Sequence, residues 1–364
     1  MISLKPRQGI LNITPYIGGK HNIAGIDRVI KLSSNEGALG PSPKVITAYQ
    51  SMSDKIHRYP DGQALILRQA LAVRHGLNVE QIVCGAGSDE LLQLLVRGYA
   101  GYGDEVLYSR YGFLIYAIAA KANGANPILA DEVNFTSSVD HLLASVTKRT
   151  RILFIANPNN PTGTYLPMLE MKRLRAELPS HVLLVIDSAY AEFVEQKDYN
   201  SGVDLVDAGD NVVMTRTFSK IYGMSGLRLG WAYCPLVIAD VLNRIRSPFN
   251  ISSTAIVAGK VAIEDINFVN LAKRHNSYWR DWLVSKLICL DLEVIPSVAN
   301  FVLVRFPTTF GYDATAADIF LQSNGIIVRT MESYGLPNYL RITIGRDYEM
   351  QKVISTLSEF QRHK

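Results

Sequence analysis

The sequence predicts an α/β fold: a mainly parallel seven-stranded sheet flanked by helices, followed by a smaller α+β lobe. Three observations carry that reading. Short apolar runs alternate with amphipathic segments from Pro43 onward. Several of those runs are followed at once by polar or ionisable residues, at the strand ends where such sheets bind ligands. After Cys234 the rhythm changes to long helical patterns and then to short strands.

The segment up to Pro43 is rich in glycine, proline and polar residues. It reads as an arm, residues 1–43, that lies on the small lobe or on a second subunit. Residues 44–246 form the expected large lobe and residues 247–364 the small one. The seven expected strands are Gln81–Cys84, Glu105–Ser109, Ala125–Ala130, Arg151–Ala156, Val182–Asp187, Asn211–Arg216 and Leu229–Cys234. Helical periodicity fills Asp89–Tyr99, Phe113–Ala122 and Met168–Leu178 between them. After Cys234, helices are expected over Leu236–Arg246 and Ser253–Lys286 and at Ala314–Ser323. Short strands are expected at Glu293–Ile295, Phe301–Phe306, Ile326–Arg329 and Tyr339–Ile344.

Composition excludes several classes. The formal net charge is +4 over 364 residues and the basic residues are scattered, so no nucleic-acid footprint stands out. The densest basic run, Lys172-Arg173-Leu174-Arg175, fits a solvated helix face. Three unpatterned cysteines, Cys84, Cys234 and Cys289, suit neither a disulfide framework nor a metal site. They fit a reducing compartment. The run Met1–Arg7 lacks the apolar core of a signal peptide, and no apolar run is long enough to cross a bilayer. A cytoplasmic protein without nucleic-acid or membrane partners is expected.

Lys220 carries the chemistry. It lies among small residues in Thr217-Phe218-Ser219-Lys220-Ile221-Tyr222-Gly223-Met224-Ser225-Gly226, just past an apolar strand. A lysine there is poorly placed as a surface charge and well placed to hold a cofactor aldehyde as a Schiff base. Asp187 ends an apolar strand, where a carboxylate is costly unless paired. Its partner is either a core arginine or the ring nitrogen of a pyridoxal cofactor, which it would keep protonated. Tyr190, close behind, can donate to the ring oxygen.

Other runs complete the set. Gly85-Ala86-Gly87-Ser88 opens a helix, so its backbone suits an anion; a plain turn capped by Ser88 has the same sequence. Asn157-Pro158-Asn159-Asn160-Pro161-Thr162-Gly163 is a stiff turn that can present the Asn160 amide to a phenolate-type oxygen. Tyr111, just past a strand, can stack on a cofactor or sit in the core. Arg228 follows Lys220 by eight residues and suits a phosphate. Arg341 and Arg329 lie on short apolar strands of one lobe. Each can reach solvent along its stem, or together they bind an anion.

Taken together these motifs resemble the fold-type I pyridoxal-phosphate aminotransferases, and among them the histidinol-phosphate branch. The resemblance runs from Leu32-Ser33-Ser34-Asn35-Glu36 through His57-Arg58-Tyr59-Pro60-Asp61-Gly62 to Leu340-Arg341-Ile342-Thr343. It implies pyridoxal 5'-phosphate as cofactor, with Lys220 as its covalent anchor and proton carrier. Asp187 would pair with the pyridine nitrogen, Asn160 and Tyr190 with the ring oxygen, and Tyr111 with the ring face. Ala86, Gly87, Ser88, Thr217, Ser219 and Arg228 would hold the phosphate. Tyr59 would reach the cofactor phosphate of a second subunit in a homodimer. Arg341 would bind the substrate's carboxylate or phosphate, helped by Arg329 and Tyr16. No metal is implied. Ser188 departs from the family, much of which has glutamate there. The implied reaction is amino transfer between L-histidinol phosphate and 2-oxoglutarate. The aromatic run Tyr108–Tyr116 leaves room for aromatic amino acids as substrates, and a phosphothreonine-type lyase would share the same residues.

Overall fold

The arm of the chain supplies the two-residue strand β1 (Ile30–Lys31), and helices α1 (Pro43–Gln50) and α2 (Leu65–His75) follow. This computed structural model describes residues 4–7 and 9–362. Met1, Ile2 and Ser3 of the amino-terminal run lie outside the described residues, as do Gln8, His363 and Lys364.

The repeating units begin with β2 (Ile82–Gly85), α3 (Ser88–Tyr99), β3 (Glu105–Ser109), α4 (Ile115–Ala122) and β4 (Asn126–Ala130). A hairpin of β5 (Glu132–Val133) and β6 (Thr136–Ser137) leads to α5 (Val139–Ala144). Then come β7 (Thr150–Ala156), α6 (Met168–Glu177), β8 (Leu183–Asp187), α7 (Val203–Asp207), β9 (Val212–Thr217) and β10 (Gly230–Tyr233). Helices α8 (Leu236–Ile245), α9 (Ser253–Glu264) and α10 (Ile266–Ile288) precede β11 (Glu293–Ile295), β12 (Phe301–Arg305), α11 (Ala314–Ser323), β13 (Ile326–Ile327), β14 (Arg329–Thr330), β15 (Tyr339–Thr343) and α12 (Asp347–Arg362).

The central sheet has seven strands in the order β2-β10-β9-β8-β7-β3-β4. Strand β10 is antiparallel to both neighbours; the other six strands all run in one direction. Their carboxyl ends therefore share one edge. Every residue of β3, β8 and β9 is buried, as expected of strands covered on both faces. Alternate side chains feed two cores: Leu107, Leu153, Leu184 and Met214 on one face, Val106, Ile152, Val185 and Val213 on the other.

A third core joins β12, β15 and α12 through Val302, Val304, Ile342, Val353 and Leu357. The 23-residue α10, about 35 Å long, runs from the sheet's core at Ala272 to this one at Leu283 and Leu287. Helix α9 packs on α1 and α2 and shares the core of the sheet. The helical pattern over Ser253–Lys286 breaks at Asp265, whose carboxylate is paired with Lys44 at 3.1 Å. The run Ile326–Arg329 is two strands, not one. Strand β13 pairs with β1 of the arm, and β14 pairs with β15. Among the described residues no helix is long and apolar enough to cross a membrane.

Candidate active site

A cavity of about 500 Å³ opens at the carboxyl ends of β7, β8 and β9, between the sheet, the arm and β15. Lys220 reaches it from the turn after β9. That turn is held by Gly223 N–H donating to the Lys220 carbonyl (3.0 Å) and Met224 N–H to that of Phe218 (3.1 Å). Gly223 has φ +66°, and a Cβ there would strike the backbone of Gly40 in the arm. Only glycine lets the arm close over the lysine turn. The Lys220 Nζ donates to the Ser34 carbonyl at 3.3 Å and forms no ion pair among the described residues. Burial, helped by the Arg341 charge, pulls its pKa down to about 8.

Asp187 sits at the end of β8, in register with Ala156 and Thr215 on the neighbouring strands. Its Oδ2 accepts from the Tyr116 hydroxyl at 2.9 Å, and its Oδ1 accepts a longer bond from Thr215 at 3.4 Å. Among the described residues no arginine or lysine pairs with it, so the core-arginine alternative is removed. Burial pushes its pKa up to about 6, against the opposing hydrogen bond from Tyr116.

An anion cradle lies beside them. Helix α3 starts at Ser88 with Gly87 as N-cap and no side chain capping it, so Ser88 is the first helical residue and not the cap. The helix end is left free for a negative group. Gly87 has φ +82°, and a Cβ there would strike the Arg228 guanidinium. Ser88, Thr217, Ser219 and Arg228 line the cavity together. Arg228, itself at φ +50°, donates to Ser219 Oγ (3.3 Å) and pairs with Asp89 (3.2 Å). Ala86 and Gly87 do not line the cavity; their N–H groups are held by Glu90 Oε2 (2.6 Å) and the Gly85 carbonyl (2.8 Å).

Arg341 and Asn160 form the opposite wall. Arg341 is buried and does not reach solvent along its stem. It donates to Asn160 Oδ1 and to the Ser33 carbonyl (3.0 Å), while its Nε is buried without a partner among the described residues. Its guanidinium stands 5.2 Å from the Phe301 ring centre. Arg329 faces Arg341 in the β14–β15 register but does not line the cavity. It donates to the Ile17 carbonyl at 2.7 Å and lies 5.9 Å from the ring of Tyr16, which does line it. The Tyr190 hydroxyl accepts from Asn35 Nδ2 at 2.9 Å, and burial pushes its pKa up to about 12.

Tyr111 and Tyr59, like Ala86, Gly87 and Arg329, do not line the cavity. Tyr111 is stacked on Phe135 at 5.7 Å, and Phe113 and Ile115 line the cavity instead. Tyr59 is 83% exposed and stacked on Phe249 at 4.7 Å, outside the cavity. Ser188 is buried, and its hydroxyl donates to the Ser201 carbonyl at 2.7 Å.

The family model for aminotransferase class I and II matches residues 27–357. The chain belongs to that family. It is 60% identical, over 99% of both chains, to a histidinol-phosphate aminotransferase of Paramagnetospirillum magneticum. It is 54% identical to one of Rhodospirillum rubrum, over 98% of this chain and 96% of that one. The crystal structure of histidinol-phosphate aminotransferase from Sinorhizobium meliloti in complex with pyridoxal-5'-phosphate superposes with a TM-score of 0.90. That pair is 26% identical and covers 100% of this chain and 99% of the other.

Within this aminotransferase the sequence reading missed Tyr116 and Asn35 as site residues. Tyr116 falls in the aromatic run, and its placement on the inner face of α4 is the signal that could have found it. Asn35 belongs to the Leu32–Glu36 motif. Its φ of +54° and its bond to Tyr190 are visible only in three dimensions.

Proposed function

We propose that the chain transfers an amino group between L-histidinol phosphate and 2-oxoglutarate, with pyridoxal phosphate anchored on Lys220. One observation carries the reading. A single cavity holds a half-buried lysine with no acidic partner and a buried aspartate with no basic one among the described residues. Each is an unfavourable charge by itself, and a group with an aldehyde and a basic ring nitrogen satisfies both. The donor set fits that group: an uncapped helix end, three hydroxyls and an arginine suit its phosphate. The high identity to histidinol-phosphate aminotransferases favours this branch over aromatic amino acids and over lyase chemistry.

Pyridoxal phosphate supplies a carbonyl that takes up the amino group and a ring that accepts electrons from the Cα–H bond. The residues supply the rest. Asp187 holds the proton on the ring nitrogen. Asn160 and Tyr190 orient the ring oxygen. Ser88, Thr217, Ser219 and Arg228 hold the phosphate at the amino end of α3. Lys220, whose amine is neutral near pH 8 and above, would be the proton carrier: it would take the proton from the substrate's Cα and hand it back on the same face. Arg341, with Arg329 and Tyr16 at the mouth, binds the substrate's anionic group. The exposed Tyr59 serves a second subunit in a homodimer, and the enzyme works in the cytoplasm.

The test is an absorption spectrum of the cofactor-loaded protein before and after L-histidinol phosphate, with no keto acid present. Loss of the aldehyde-form band and rise of the amine-form band supports the reading. A spectrum that ignores histidinol phosphate but answers phenylalanine refutes the substrate and keeps the transamination. Release of carbon dioxide without a keto acid refutes the transamination.

A further inference from the structure

Tyr116 is 1% exposed, yet it carries a hydroxyl into the interior. Its ring lies flat on Phe154 of β7, with centres 4.6 Å apart and planes 4° from parallel. Tyr108 and Phe113 meet it edge-on at 5.8 and 6.1 Å. Three rings therefore fix where the hydroxyl points. A phenylalanine would satisfy all of that packing. The hydroxyl is buried and is justified only by its partner, since a buried polar group without one is destabilising. That partner is Asp187 Oδ2, at 2.9 Å.

We propose that Tyr116 is a positioning residue for amino transfer. Its hydroxyl fixes the Asp187 carboxylate through Oδ2 and leaves Oδ1 turned to the cofactor's ring nitrogen. This rests on the reading of Asp187 as the ring-nitrogen partner. The geometry is suited to the task. Oδ1 takes the longer side-chain contact, from Thr215 at 3.4 Å, and the carboxylate also accepts from the Ala189 backbone, so Oδ1 is the oxygen held less firmly by side chains and the one open to a new donor. Tyr116 remains a donor throughout, because burial and the neighbouring carboxylate hold its own ionisation well above the usual phenol range. The bond links α4 to the end of β8, the strand that carries Asp187. A hydrogen bond from a neutral donor to a carboxylate is among the stronger ones in proteins, so its loss is measurable.

The experiment is a double-mutant cycle of Tyr116→Phe and Asp187→Asn in the cofactor-loaded enzyme, together with cofactor titration of the cofactor-free proteins. Tyr116→Phe is expected to lower kcat roughly tenfold with KM nearly unchanged, and to weaken cofactor binding by a similar factor. In the Asp187→Asn background the same change is expected to do far less. Tyr108→Phe removes the hydroxyl of a neighbouring buried tyrosine that does not touch Asp187, and it is expected to leave kcat and cofactor affinity at wild-type values. Unchanged kcat and affinity in Tyr116→Phe overturn the proposal. An equal loss in both backgrounds overturns it too, and so does an equal loss in Tyr108→Phe, because each marks a packing effect. If Asp187→Asn is itself as active as wild type, the underlying reading of Asp187 fails and the proposal with it. If Asp187→Asn is crippled and Tyr116→Phe is silent, only the proposal fails. Should Tyr116→Phe not fold, ring-fluorinated tyrosine at position 116 reads the same bond. Cofactor affinity that shifts with hydroxyl acidity supports the proposal, and affinity blind to it overturns it.

Discussion

The two walls of the cavity are built by different means. The sheet wall carries Asp187, Thr217, Ser219 and Lys220, at the ends of two adjacent parallel strands and on the turn after them. Its groups stand on fully buried backbone. The facing wall is assembled from opposite ends of the chain. Arg341 donates to the Ser33 carbonyl, and Asn35 and Thr343 bond each other twice, across 308 residues of sequence in each case. The first wall is rigid and local; the second is a seam between the arm and the small lobe. On the proposed assignment, the groups that would move protons stand on the first wall, and those that would select the substrate stand on the seam. Substitutions on the first should fall on kcat, and substitutions on the second on KM.

The largest effect tests the rigid wall. Lys220→Ala is expected to lower kcat by on the order of 10⁴-fold or more and to abolish the visible band of the anchored cofactor. Robust turnover in that variant would remove the central assignment. Asp187→Asn comes next. It is expected to slow Cα-proton exchange by on the order of 10²–10³-fold while KM moves only a few-fold, because the charge that stabilises the electron-accepting ring is lost. An exchange rate equal to wild type breaks the contrast between the walls.

The seam is tested by Arg341→Ala. Losing one charged hydrogen-bonding group is expected to raise KM by roughly 10–100-fold with a smaller change in kcat. Saturation kinetics like those of wild type, with both substrates, show that Arg341 only braces Ser33 and Asn160. A fall confined to kcat places it with the proton-moving groups instead.

The same contrast explains what was legible in the sequence. The sheet wall could be read because its signals are local. An apolar run ending in Asp187, and another running into Ser219 and Lys220, mark strand ends whatever the rest of the chain does. The seven strands were readable for the same reason, to within a residue or two at each end. The seam was not readable as geometry. Arg341 and Arg329 were legible as arginines on apolar strands, but their partners Ser33, Asn160 and Ile17 lie far away in sequence. The run Ile326–Arg329 hid two strands because β13 finds its partner in the arm, about 300 residues earlier. Tyr111 shows a third kind of limit. Its position after β3 suits a cofactor face, yet the side chain stacks on Phe135 from the β5–β6 hairpin, a contact with no local signal.

The smallest effect sharpens the comparison most, because it needs no turnover. Without cofactor, burial holds the Asp187 pKa at about 6, above the ordinary 3.8 of an aspartate. Between those two values the native state binds more protons than the unfolded chain, so stability falls as pH rises through that window. Above about pH 6 the penalty is complete, on the order of 3 kcal/mol. Asp187→Asn removes the ionisable group and with it the penalty. The cofactor-free variant is therefore expected to melt higher than cofactor-free wild type at pH 7.5 and to match it near pH 4. With cofactor bound the order should reverse at pH 7.5, since the carboxylate then has its cationic partner. Arg341, which stays charged across this range, has no such window, so Arg341→Ala should shift the melting temperature by the same amount at both pH values. Thermal melts of the three proteins, at two pH values and with and without cofactor, check this. An Asp187→Asn shift that ignores both pH and cofactor means that the carboxylate is not the charge the sheet wall holds ready.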